Sequence, residues 1–178
     1  MKLKITTILL FCVFILSSCG DEVTEERRLL TEAERLQEKD NITAVIKEYH
    51  DAMNKRDWAG VVKTLNKEVT FFGSDKGEVS KDMAAFKETV KRQWDDYTVM
   101  EYGAVQDVYI ELDDFANFGN IIYGIPLNAV AKDGTKEELF VIIQRTVKKD
   151  PVTKNWVICS GILSIPRVDS KSVATTTN

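Results

Sequence analysis

His50 is the single histidine of this 178-residue chain, and so the only side chain whose ordinary pKa suits proton transfer near neutral pH. A working imidazole needs an orienting carboxylate or a metal, and the adjacent Asp51 leaves a helix in another direction. His50 follows Tyr49 by one helical step of about 100°. It is therefore expected at the surface or at the edge of a buried stripe. One histidine and three cysteines without close ligand spacing make no zinc site, and neither metal nor cofactor is expected. Cys159 reads as a small buried hydrophobe. Among the acids, Glu111, Asp113 and Asp114 fall in a late strand and turn and form no inward acid–base pair. No phosphate loop, nucleophile elbow or dinucleotide fingerprint occurs. The adjacent polar pair Gln144 and Arg145 interrupts an apolar strand. Alternation sends them to opposite faces, so one of them faces the interior or a subunit seam. Tyr49, Trp58, Phe72, Trp94 and Tyr97 are the candidates to line an apolar ligand cavity, or else they are plain core.

The amino end carries different chemistry. Lys2 and Lys4 precede an uncharged apolar run from Ile5 to Leu16, too short for a membrane-spanning helix of about 20 residues but suited to a signal peptide. Leu16-Ser17-Ser18-Cys19 resembles a bacterial lipobox. That resemblance implies cleavage after residue 18, diacylglycerol on Cys19 and anchorage to a lipid bilayer, with two or more acyl chains needed for durable binding. Gly20, in place of an inner-membrane retention aspartate, points to the outer membrane of a cell envelope, on its periplasmic or surface face. The acidic stretch Asp21, Glu22, Glu25 and Glu26 is a surface-export tether or a solvated spacer. With Cys12 removed and Cys19 acylated, Cys159 has no partner for an intramolecular disulfide. Loss of Lys2 and Lys4 takes the formal charge from −4 to −6, and an acidic chain without a basic patch excludes nucleic acid as partner.

Four segments follow: a signal at 1–18, a charged tether or helical arm at 19–40, one domain at 41–166 and a Ser/Thr-rich tail at 167–178 expected to be disordered. Leu29, Ala33 and Leu36 give the arm a helical spacing, and Asp40 is the expected N-cap of the next helix. Ile42, Val45, Ile46, Tyr49 and Met53 form one helical face, ending near Asn54-Lys55-Arg56. Asp57 caps a short helix from Trp58 to Leu65 with Val61, Val62 and Leu65 inward. Glu68–Phe72 reads as a strand closed by Gly73. Ser80 caps a third helix whose stripe is Met83, Phe86, Val90, Trp94 and Tyr97, while Lys87, Lys91 and Arg92 form its solvated face. Strands are expected over Val99–Leu112, Phe118–Ala131, Glu137–Lys148 and Asn155–Ile165. Hairpins fall at Lys132-Asp133-Gly134 and between Asp150 and Asn155. Gly103, Gly124, Pro126 and Gly161 permit bulges and bending. The class is α+β, with three N-terminal helices on one face of a strongly curved antiparallel sheet. Leu139–Ile143 and Trp156–Ile165 are apolar at both parities, which predicts a homodimer through the sheet.

In this order, several segments resemble the nuclear-transport-factor-2-like fold and its SnoaL-like group. They are Tyr49…Met53-Asn54…Arg56-Asp57-Trp58, Val69-Thr70-Phe71-Phe72-Gly73-Ser74-Asp75, Gly77-Glu78, Trp156-Val157-Ile158 and Ser164-Ile165-Pro166. The resemblance spans Asn41 to Pro166 and implies a cone whose cavity wall and core are continuous. Its members include ketosteroid isomerase-like enzymes, cyclases, dehydratases and non-catalytic binding modules, so fold leaves function open. In the isomerase-like members a first-helix tyrosine donates to an oxyanion. Tyr49 matches it, with Asp75 or Glu78 as candidate carboxylates. Ile162 stands where many relatives carry a histidine two residues before the serine of the last motif. Three readings follow: a non-catalytic envelope lipoprotein binding a small apolar or amphipathic ligand, an interaction or self-assembly module, and an isomerase, cyclase or dehydratase acting next to a carbonyl.

Overall fold

The computed structural model describes residues 28–74 and 78–166. The signal segment, Cys19, the acidic stretch after it, Asp75, Gly77 and the 167–178 tail lie outside the described residues. Helix α1 spans Glu32–Asn54, α2 Trp58–Lys63 and α3 Met83–Asp96. The strands are β1 Leu65–Phe72, β2 Val79–Ser80, β3 Tyr97–Tyr102, β4 Gln106–Leu112, β5 Phe118–Ala131, β6 Lys136–Lys149 and β7 Trp156–Ser164.

Helix α1 starts well before Asp40, which lies inside it rather than at its cap. Thr31 is the cap: its hydroxyl accepts from the Glu34 amide, and the Glu34 carboxylate accepts from the Thr31 amide. These two bonds satisfy two otherwise orphaned amides of the first turn. Hydrogen bonds from Arg28 and from Thr31 hold the Glu34 carboxyl down to about 2. One turn on, Glu38 accepts from the Lys149 ammonium and from the Trp156 indole, which tethers this charged stretch to the β6–β7 hairpin. Burial pushes the Glu38 carboxyl up, but those bonds and one from Asn41 outweigh it and keep it below the usual range. The early helix is thus held by polar ties, while Leu29 and Leu36 stay exposed.

From Ile42 onward apolar packing takes over. Ile42, Val45, Ile46, Tyr49, His50, Ala52 and Met53 are buried against the sheet, each large aliphatic contributing roughly 1.5–3 kcal/mol. The helix ends as expected, and Asp57 caps α2 through the Gly60 amide. Two side chains at this corner reach across the molecule. Asn54 pairs with both backbone groups of Tyr102, at 2.8 Å each. Arg56, in the left-handed region at φ 55°, donates to the carbonyls of Trp94, Tyr97 and Thr98. Helix α2 is shorter than expected. Leu65 belongs to β1, and Val62 faces outward. Asp82, not Ser80, caps α3, accepting from the Ala85 amide. Ser80 sits in β2 instead and bonds the Thr89 hydroxyl at 3.0 Å.

All seven strands form one sheet in the order β2-β1-β7-β6-β5-β3, with β4 also on β5. The strand expected over Val99–Leu112 is one edge in two pieces, β3 and β4, both antiparallel to successive parts of β5. Residues 103–105 form the break, where the Gly103 amide donates to the Pro126 carbonyl. Strand β5 has the expected bounds and pairs with β6 along its whole length. One pairing departs from the all-antiparallel expectation: β1 runs parallel to β7. A parallel pair needs a long crossover, and the rest of the chain supplies it. The concave face holds the helices and the core. The convex face leaves Ile122, Phe140, Ile142 and Ile162 40–47 % exposed.

Candidate functional site

The inner face of β6 and β7 carries an unusual group. Arg145 points inward and is 5 % exposed, while Gln144 faces outward. On one side of Arg145 its cross-strand partner is Gly161, itself paired with Phe71. A Cβ on Gly161 would fall 1.7 Å from a terminal nitrogen of Arg145 and 2.8 Å from its Cδ. The arginine therefore lies across the space that any other residue at 161 would fill. Its guanidinium carbon sits 4.9 Å from the Phe71 ring centre and 5.4 Å from that of Tyr49. These are cation–π distances, and such contacts strengthen when water is excluded. Among the described residues no carboxylate lies within ion-pair distance of Arg145, and its Nε makes no hydrogen bond.

Beside it, helix α1 and the inner sheet face form a box of rings. His50 lies 5.2 Å from Tyr49, 4.7 Å from Tyr102 and 5.6 Å from Tyr123, centre to centre. Its Nε2 is 2.8 Å from the Tyr123 hydroxyl. The expectation of a surface or edge histidine is therefore wrong: His50 is 3 % exposed. The reason is the trough in which α1 lies. It covers a wider arc than one stripe, and His50 continues the Ile42–Ile46 row at i+4. That spacing was the signal available in the sequence. Burial, and next the nearby Arg145 cation, push the His50 pKa down to about 3, so the ring is neutral and a poor base near pH 7. Burial pushes Tyr123 up to about 12, and Tyr49 and Tyr102 up as well, with Arg145 pulling each part of the way back. All three phenols stay protonated as potential donors.

A cavity of about 60 Å³ opens here, lined by Tyr49, Tyr102 and Arg145 and walled by Phe71, Phe86, Val90 and Leu163. Glu78 and Phe72 border it where β1 ends. Of the expected lining residues, Tyr49 belongs to this cavity. Phe72, paired with Ile162 and 45 % exposed, reaches it from the rim. Trp58, Trp94 and Tyr97 are half-buried elsewhere and do not line it. Trp58 packs near Phe86 under Lys87, because the α3 stripe faces α2 and β1 as well as the cavity. Ile162 faces the convex side, away from the cavity. Glu111 is exposed, Asp113 accepts from the Asn117 and Phe118 amides in its turn, and Asp114 pairs with Arg35. Cys159 is half-buried, less than expected. Among the described residues no cluster of His, Cys, Asp or Glu could hold a metal ion. No described helix is long and apolar enough to cross a membrane.

Residues 42–120 match the model of the SnoaL-like domain family. Among curated proteins none matches the chain in sequence. Solved structures share the fold at low identity. A nuclear transport factor 2-like superfamily protein from Salmonella enterica is 15 % identical, with TM-score 0.67, over 79 % of this chain and 99 % of that one. A ketosteroid isomerase-like protein from Erwinia carotovora is 16 % identical, with TM-score 0.63, over 74 % and 98 %. A hexachlorocyclohexane dehydrochlorinase from Novosphingobium barchaimii is 9 % identical, with TM-score 0.67, over 77 % and 92 %. These chains share the expected α+β cone with this one.

The buried neutral His50 makes a prediction about stability. Its folded pKa lies below its unfolded value of 6.5, so the unfolded state binds the extra proton first. Its contribution is complete above pH 6.5 and is lost progressively as pH falls toward 3, on the order of a few kcal/mol in all. Urea unfolding from pH 7.5 to 5, where carboxylates contribute little, should show a falling midpoint. His50→Gln should flatten that slope. An unchanged slope in the variant would assign it to another group.

Proposed function

We propose that this chain, which carries a SnoaL-like domain of nuclear-transport-factor-2-like fold, binds a small amphipathic ligand while tethered to an envelope membrane through Cys19. The observation that carries the ligand reading is the cavity beside Arg145. It joins aromatic and aliphatic walls to a cation and phenol donors, and the one imidazole nearby has a pKa too low to take up a proton. Binding needs such donors; proton abstraction needs an acceptor as well. The polar end of the cavity moves the ligand from apolar to amphipathic.

The tether rests on the Leu16–Cys19 pattern behind a short apolar run, and Gly20 favours the outer membrane. A homodimer through the convex face is part of the same proposal. Ile122, Phe140, Ile142 and Ile162 share that face on β5, β6 and β7, with Gln144 between Ile122 and Ile162, and water contact with so many apolar side chains is unfavourable. An enzymatic reading has one observation in its favour: Glu78 borders the cavity that Arg145 lines. Glu78 would then be the base and Arg145 with Tyr49 the oxyanion site, for a proton transfer or elimination next to a carbonyl. Among the structural relatives is a dehydrochlorinase.

Native mass spectrometry of the chain purified from its host membrane reads two of these claims together. A dimer retaining a small organic molecule is expected; a bare monomer at high concentration counts against both. Cys19→Ser should move the protein from the membrane to the soluble fraction of growing cells, and retention at the membrane would end the tether proposal. Under the enzymatic reading, Glu78→Gln should abolish turnover of a bound carbonyl compound while leaving its retention intact. Binding without turnover in the unaltered chain supports the non-catalytic reading.

A further inference from the structure

A guanidinium is costly to remove from water unless an anion and several hydrogen bonds compensate it. Arg145 is 5 % exposed, its cation–π contacts use only its faces, and its Nε makes no hydrogen bond, while the Tyr123 hydroxyl interacts with its side chain. The rings leave the in-plane Nε donor unsatisfied, and the in-plane donors are the strongest part of the group. Tyr49 and Tyr102 line the same cavity, and burial keeps both of their hydroxyls protonated. The cavity thus sets a cation and two phenol donors against apolar walls, with the Glu78 carboxylate on its border. Two other side chains that face Arg145, Phe71 and Ile121, are apolar.

We infer that the ligand of this cavity is a small organic carboxylate, its planar anion held by the Arg145 guanidinium and its apolar body seated against Phe71, Phe86, Val90 and Leu163. Planarity matters because guanidinium and carboxylate match as two parallel hydrogen bonds. Size follows from the space. A cavity of about 60 Å³, measured in water positions, corresponds to roughly four to six waters. That is the bulk of a six-membered ring bearing one polar group. Long-chain acids and steroids would extend out of it into solvent. The inference rests on the binding reading above and narrows it to a charge class.

Benzoate and benzamide are the probes, since they share shape and differ in charge. Isothermal titration calorimetry on the full-length chain in detergent, at low and matched ionic strength, should show benzoate binding at least about tenfold tighter, a difference of one good charge-assisted contact. Arg145→Met keeps an apolar stem to lie across Gly161, and it should bring the two affinities within about twofold of each other. Arg145→Lys should keep part of the preference, because charge remains while the planar fork is lost. Equal affinities in the unaltered chain, or a benzoate preference surviving in Arg145→Met, would overturn the carboxylate while leaving a binding cavity in place. Failure of both probes to bind would remove the small-ligand reading as well. If Arg145→Met fails to fold, the benzoate-to-benzamide ratio of the unaltered chain decides the matter, with Arg145→Lys as the second arm.

Discussion

Arg145 can enter the interior because Gly161, its partner across the strands, has no side chain. The arginine lies over that backbone and carries its charge to the rings of Phe71 and Tyr49. Much of the concave face depends on this placement. The cation lowers the energy of any negative charge formed beside it, it adds to burial in keeping the neighbouring imidazole uncharged, and it fixes the polar end of the cavity. With an apolar residue at 145 the same sheet would close over a plain core. The cost of the buried charge is therefore borne by the rest of the domain, chiefly by the apolar burial along α1 and the long β5–β6–β7 ladder.

That burial holds because the helix corner is fastened to the sheet by side chains that bond backbone. Asn54 closes a pair of hydrogen bonds on Tyr102, and Arg56 gathers three carbonyls at the junction of α3 and β3. Tyr102 stands at the end of β3 and is also a wall of the ring box. The ties that close the fold thus position one of the donors in the cavity. At the other end of α1, Glu38 does comparable work against Lys149 and Trp156. The helix is pinned at both ends, and its apolar middle has one place to lie.

Several elements were legible without coordinates because the forces that make them are local. The bounds of β5 follow from its alternation and from the turn at Lys132-Asp133-Gly134, where Gly134 takes φ 89°. Asp57 announced α2 because an N-cap acts within three residues. The start of α1 was hidden. Its first turns lack a continuous apolar row, and they are stabilised by Thr31, Glu34 and a carboxylate bond to residues more than a hundred positions away. The parallel β1–β7 pairing was hidden for a related reason, since nothing local in either strand states its partner's direction.

The chain's own pattern determined the α+β class, the helix corner, the long hairpins and a doubly apolar pair of strands, all of which arise from periodicity and capping over a few residues. It also determined that one of Gln144 and Arg145 would turn inward, because neighbouring strand residues face opposite ways. Which of them does so was decided only in three dimensions, by Gly161 across the ladder. The burial of His50 was decided there too. A side chain's exposure is set by the surface that comes to lie over it, and for His50 that surface is Tyr102 and Tyr123, brought in from strands 52 and 73 residues away along the chain.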